Sequence, residues 1–133
     1  MPDTKEKLAG SLILELRKMK AVAALKLVGL EQLADENPYD LELSERKLVA
    51  IASVLAMDTK VLILDEPTIA QDWKGRKIIQ KMIRDLSSQG KTVIAILHDM
   101  DFVAESFERV IVMAHGKVLA DGTKEEVFAQ KGV

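Results

Sequence analysis

Val61-Leu62-Ile63-Leu64-Asp65-Glu66-Pro67-Thr68 is the stretch on which the fold turns. Four apolar residues in a row are too uniform for a strand with one wet face, and they stop at two carboxylates and a proline. Such a run reads as a strand of a buried parallel sheet. A second run, Thr92-Val93-Ile94-Ala95-Ile96-Leu97, stops at His98-Asp99. Between them, Lys74 to Ser88 carries Ile78, Ile79, Met82, Ile83 and Leu86 at helical spacing, and Gly90 closes that helix. Strand, helix and strand make a βαβ unit. Ligands of open α/β sheets sit at the carboxyl ends of the strands. Asp65, Glu66 and His98 therefore stand where chemistry is expected.

Working outward, a short helix from Met100 to Phe107 leads to Val110-Ile111-Val112-Met113. His115-Gly116 separates this run from Val118-Leu119-Ala120, a hairpin signal. Thr123 then caps a last helix with Glu125 and Glu126 in its first turn. Upstream, Leu8, Leu12, Leu16, Met19, Ala23, Leu27 and Leu30 recur every three or four residues. Lys5 to about Leu33 thus reads as helix with that stripe in the core, ended at Gly29 and followed by a short helical turn. Asn37-Pro38 is a breaker. Ser44 is the expected N-cap of a second helix reaching Met57, apolar on nearly every side and so expected to be deeply buried. No repeat, low-complexity tract or proline-rich linker interrupts this order. The fold class is α/β: an α-rich segment feeding two parallel strands and a hairpin, a sheet small for a doubly wound fold.

Composition narrows the function. The 133 residues are 48% hydrophobic and 30% charged, which suits one folded domain. The formal net charge of −2 argues against non-specific nucleic-acid binding. Aromatics at 4% offer no base-stacking platform. There are no cysteines, hence no disulfide, thiolate metal site or cysteine nucleophile, and two histidines are few for a zinc site. Leu8 to Leu30 is interrupted by Glu15, Arg17, Lys18, Lys20 and Lys26, so it reads neither as a membrane span nor as a signal peptide. The expected setting is the cytoplasm.

The adjacent carboxylates can divide labour, because neighbouring residues point in different directions. One can hold a magnesium ion through water while the other reaches an attacking water. The alternative is a strand that ends in a solvated acidic turn.

The string from Val61 to Thr68 resembles the Walker B motif of ATP-binding cassette (ABC) ATPases, and the resemblance covers nearly the whole chain. Asp72 stands at the D-loop aspartate, with Ile69-Ala70-Gln71 in place of the commoner Ala-Gly-Leu. His98 stands at the switch histidine. Arg109 to Gly122 is similar to the hairpin that follows it, and Val49-Ala50-Ile51-Ala52 to the helix after the signature motif. Asn37-Pro38-Tyr39-Asp40-Leu41 and Ala52-Ser53-Val54-Leu55-Ala56-Met57 are further similar to the ATPases of energy-coupling factor importers, which take up vitamins and transition metals.

Three departures qualify the match. A Walker A loop needs Gly, four residues, then Gly-Lys-Ser/Thr. Gly90-Lys91-Thr92 is the sole candidate, but Asp85 holds the place of its first glycine, and it precedes a strand rather than a helix. No glutamine loop is identifiable. The chain therefore reads as the C-terminal portion of a P-loop NTPase fold of ABC type, with the Walker A half absent. Residues 1–58 would be part of the helical subdomain and a degenerate signature helix; residues 59–133 would be the C-terminal part of the ATPase core. Second, Leu41-Glu42-Leu43-Ser44-Glu45 lies where the family has Leu-Ser-Gly-Gly-Gln, so Glu42 replaces the serine that grips a γ-phosphate and would repel it. Arg46 and Lys47 can offset that charge. The other reading is a plain helix cap. Third, Trp73 replaces a common proline, at a dimer interface or over the neighbouring helix.

The resemblance implies an ATP-hydrolysing subunit of a membrane transporter, with ATP and magnesium between two subunits in a homo- or heterodimer. Asp65 would help hold the metal, Glu66 would polarise water, and His98 would sense the γ-phosphate. Leu41 to Glu45 and Asp72 would face nucleotide. His115 would be merely exposed. The partner would be a transmembrane subunit received in a groove of the helical region, part of whose apolar stripe would face it. The location would be peripheral, at the cytoplasmic face of the membrane. The chain alone, lacking Walker A, would be inactive. The rivals are an ABC-type DNA-repair or chromosome ATPase, although no long coiled coil is visible, a non-catalytic interaction module, and a receiver-like domain, whose strand-first order differs. No nucleic-acid partner is expected.

Overall fold

Gly29 and Gly90 end the two long helices in the same way. The first helix, α1 (Thr4–Leu27), stops where Gly29 takes φ 67°. Its N–H donates to Lys26 O at 3.1 Å and the next N–H, of Leu30, to Leu25 O at 2.9 Å. Around Gly90, at φ 79°, the same pair of bonds runs from Gly90 N to Ser87 O and from Lys91 N to Leu86 O. Glycine reaches this left-handed conformation without the Cβ penalty, and the paired bonds satisfy carbonyls that a helix end would leave orphaned. The computed structural model describes residues 4–130.

After short 3₁₀ turns at Glu31–Leu33 and Pro38–Asp40 comes α2 (Leu43–Leu55). Its N-cap is Glu42, not Ser44, one of two corrections on this helix. Glu45 reaches back to accept the Glu42 N–H at 3.1 Å, the return half of a capping box in which the Glu42 side chain stands where a hydroxyl was expected. The second correction concerns burial. Only Leu48 and Ala52 are buried, and Leu43, Val54 and Met57 are exposed. An all-round apolar helix is covered on every side only where neighbours stand on every side; here α1 covers one flank.

The βαβ unit forms as expected. Strand β1 (Val61–Asp65) pairs in parallel with β2 (Thr92–Ile96), Asp65 opposite Ile96, and α3 (Trp73–Ser88) crosses between them. Ile79, Met82, Ile83 and Leu86 of α3 are buried on Leu62 and Leu64 of β1. That core also takes in Ala24, Val28, Leu30, Leu48 and Ala52, so one apolar cluster runs across residue 58. A short helix, α4 (Met100–Ser106), sets Phe102 into it. Strands β3 (Arg109–Ala114) and β4 (Lys117–Thr123) form a separate antiparallel hairpin, turned at His115-Gly116 with φ 50° and 73°. Thr123 caps α5 (Lys124–Phe128), accepting from Glu126 N while Glu126 accepts from Thr123 N. Val103, Val110, Ala120 and Val127 make this part's own small core.

Two apolar surfaces stay uncovered. Val61, Ile63, Ile94 and Ile96 are 49–64% exposed on the face of the parallel pair opposite α3. The stripe on α1 reaches the core only at its C-terminal end: Leu8, Leu12, Leu16 and Met19 are 50–66% exposed and Ala23 is exposed, Leu30 is buried as expected, and Ala24 and Val28, off the stripe, are buried too. A buried-type parallel sheet with one face open is a driving force for association. The chain by itself is expected to elute as dimers or larger species in size-exclusion chromatography. Ile63→Thr together with Ile94→Thr should shift it toward monomer. A stable monomer at high concentration, unchanged by that pair, would contradict an exposed sheet face.

Candidate active site

The carboxyl ends of β1 and β2 lie side by side, which places Asp65 and His98 together. In a parallel pair, residues in register share a face. Asp65 is opposite Ile96, so Asp65 and, two residues further on, His98 fall on the uncovered face. Asp65 is exposed at the strand's end.

Glu66 follows with φ +46°, the left-handed region that a side chain of this size rarely takes. Its N–H still donates to Ile96 O at 3.0 Å, so the strand pairing holds the residue while its backbone turns. The turn breaks the strand alternation and swings the carboxylate toward β2. Glu66 Oε1 lies 3.1 Å from His98 Nε2. That oxygen is buried and has no aligned hydrogen bond, whereas the imidazole is 91% exposed. Strain and an under-satisfied buried carboxylate oxygen at one residue are what a site keeps in reserve for a ligand. Pro67 and Thr68 behind it are buried.

The loop after the carboxylates is tied to α2. Lys47 Nζ donates to Ile69 O at 2.9 Å, and Gln71 Nε2 donates to Ser44 O at 3.1 Å. Ala70 between them has φ 62°. Asp72 caps α3, its Oδ1 accepting from Gly75 N at 2.7 Å. Residues 69–72 thus bridge the strand end to the start of α2, which Leu41 to Glu45 lead into. Glu42 and Glu45 bring their own negative charge to that helix N-terminus, the place where an outside anion would otherwise be favoured. Trp73 stands 75% exposed at the start of α3, beside a groove shared with Phe102 and Glu105 of the next helix.

Sequence reasoning passed over Arg76 and Asp99. Both line the same open cleft as Glu66, Thr68, Ile69 and His98. Arg76 Nη2 meets Asp99 Oδ2 at 2.5 Å, and Asp99 Oδ1 accepts from Phe102 N at 2.9 Å, capping α4. The Phe102 N–H first, and the Arg76 guanidinium second, hold the Asp99 carboxyl below the usual range. An aspartate between a strand and a helix is a readable cap signal; its partner 23 residues back on another helix is not. His115 is exposed in its turn.

Magnesium usually takes one or two carboxylates and completes its shell with water and phosphate oxygens. Among the described residues no group of three His, Asp or Glu side chains converges as a metal cage. Asp65, exposed at the end of β1, suits the water-rich mode. Among the described residues no helix is long and apolar enough to cross a membrane.

Comparison with known proteins identifies the family of the chain. The family model described as ABC transporter matches residues 4–69. The energy-coupling factor transporter ATP-binding protein EcfA of Methanocaldococcus jannaschii is 41% identical over 133 residues, covering 96% of this chain and 48% of that protein. EcfA2 of Methanospirillum hungatei is 45% identical over 108 residues, covering 81% of this chain and 27% of its own length. The solved structure of cbiO1 from Clostridium perfringens, described as part of the ABC transporter complex cbiONQ, superposes with a TM-score of 0.74 at 41% identity. It covers 85% of this chain and 45% of that one. The chain spans about half the length of these relatives, or less. Strand ends carrying Asp65-Glu66 and His98, the bridging loop and these likenesses agree: the chain belongs to the ABC transporter family of ATP-binding proteins.

Proposed function

We propose that this chain supplies the hydrolytic half of an ATPase subunit that drives an energy-coupling factor type importer. The observation that carries this reading is the contact between the strained Glu66 and His98 at the ends of two parallel strands. A water seated against the buried Glu66 Oε1 would be aimed at the terminal phosphate and give up its proton to that carboxylate. His98, exposed on the open side, is free to donate a hydrogen bond to a phosphate oxygen. Asp65 would hold magnesium through water; the bound ion supplies charge neutralisation on the phosphates. The uncovered sheet face, on Asp65's own side, suits the part of a cassette that carries the phosphate-binding loop. Residues 1–58 would form part of the helical subdomain and residues 59–133 the C-terminal part of the core.

Leu41 to Glu45 and Asp72 would face a nucleotide held by a second ATPase subunit. The exposed α1 stripe would meet a transmembrane subunit, which would place the protein peripherally at the cytoplasmic face of the membrane. Calorimetric titration tests the reading. In a complete subunit carrying a Walker A loop, ATP with magnesium should bind, and Asp65→Asn should weaken the magnesium dependence of that binding. The 133-residue chain alone should bind far more weakly, because a P-loop's backbone amides and lysine make most phosphate contacts. Micromolar binding by the chain alone would overturn this division of labour.

A further inference from the structure

His98 needs a restraint that its own surroundings do not supply. Its imidazole is 91% exposed, so no wall of side chains fixes the ring near Glu66. Its place is set by the backbone, which leaves β2 at Ile96 and enters α4 at Met100. The next residue, Asp99, is the N-cap of α4.

α4 is only seven residues long and is strapped to α3 at two points. At its start, Arg76 bonds Asp99 and lies over the Phe102 ring, 5.5 Å from the centroid. Near its end, Gln80 Nε2 donates to Glu105 Oε2 at 2.6 Å, with Lys77 Nζ at 3.4 Å from the same oxygen. The straps differ in what they secure. The second holds a helix end far from the chemistry, whereas the first holds the residue peptide-bonded to His98. Arg76 also sits one turn beyond Asp72, on the helix that Asp72 caps. One face of α3 therefore spans from the loop at residues 69–72 to the backbone under His98.

We propose that Arg76 is a positioning residue: through Asp99 it holds the His98 backbone so that the imidazole stays against Glu66. This deepens, and rests on, the reading of Glu66 and His98 as hydrolytic residues. Arginine suits the place because its planar guanidinium can lie on the Phe102 ring while donating in-plane to the carboxylate. Lysine keeps the charge but cannot do both.

The test is steady-state ATP turnover by the complete ATPase that contains this chain. Arg76→Met should lower kcat roughly ten- to hundredfold, the cost of a misplaced catalytic group, with KM for ATP nearly unchanged. Arg76→Lys, which keeps the charge but not the stacked, in-plane geometry, should recover only part of that loss. The decisive comparison is a double-mutant cycle with His98→Ala. If Arg76 acts through His98, adding Arg76→Met to His98→Ala costs little more than His98→Ala alone. A full, multiplicative loss in the double variant overturns the proposal, because Arg76 would then matter for folding or for something other than His98. A parental kcat in Arg76→Met, with thermal unfolding unchanged, also overturns it. If His98→Ala and Glu66→Gln both turn over ATP at the parental rate, the site reading itself fails and takes the proposal with it. Loss in those two variants without loss in Arg76→Met removes only the proposal.

Discussion

Glu66→Gln is expected to lower ATP turnover in the complete protein by roughly two to four orders of magnitude, the range for a positioned base, while ATP affinity is kept. Glutamine has the same length and fits the same φ of +46°, so shape and hydrogen bonding to a water largely persist. What disappears is the basic oxygen now buried 3.1 Å from His98 Nε2. Nucleotide should then accumulate unhydrolysed and hold the subunits together. Asp65→Asn should behave differently and shift the magnesium dependence. His98→Ala should lower turnover with little change in affinity. Measuring turnover and affinity separately resolves the three roles. Parental hydrolysis by Glu66→Gln would sink the assignment of this carboxylate.

The parts of this site that sequence reading reached are those written in contiguous residues. Val61 to Thr68 announces a strand and its acidic end in eight letters, and both formed. Gly29 and Gly90 announced helix ends, and both carry the paired carbonyl bonds of a glycine-terminated helix. Thr123 with Glu126 three residues on was legible as a cap for the same reason. One miss is a local choice; the others are relations between elements. Ser44 looked like the better cap, because hydroxyls usually win that position. Glu42 displaced it because Glu45 can fold back onto the Glu42 N–H, a choice made by side-chain reach. The α1 stripe obeyed helical periodicity but faces outward from Leu8 to Met19, since periodicity states which residues share a face and not what lies opposite. Arg76 had no signal, because an ion pair across 23 residues is created by the crossing of α3 and α4.

The link from residues 69–72 to α2 belongs to the same class. Lys47 was read only as charge that offsets Glu42. In the fold its ammonium is spent on Ile69 O, three residues beyond Glu66. Ser44, read as a helix cap in a segment expected to face nucleotide, offers its backbone carbonyl to Gln71. The N-terminal turn of α2 is therefore joined mechanically to the loop after the acidic strand end. A change in the placement of α2 would reach the loop through two hydrogen bonds, whatever the affinity of Glu42 for an anion.

Phe102→Ala carries the second large effect. Phe102 is 1% exposed, the largest of the fully buried side chains, and sits in the core with Ile79, Met82, Ile83 and Leu86. Removing a ring from such a place typically costs about 3–5 kcal/mol. That is a large share of the roughly 5–15 kcal/mol that holds a domain together, and here two apolar surfaces already lie open. The denaturant midpoint should fall sharply with the slope unchanged. Phe102→Leu, which leaves a smaller void, should fall much less. The ring is also the surface under Arg76, and the backbone N–H of the same residue donates to Asp99 Oδ1. Below its lowered unfolding temperature, Phe102→Ala should therefore still show reduced turnover, in proportion to the loosening of the turn that carries His98. A stability change within about 0.5 kcal/mol, as for an ordinary surface substitution, would mean that α4 is held by its straps alone and that the ring contributes nothing to placing His98.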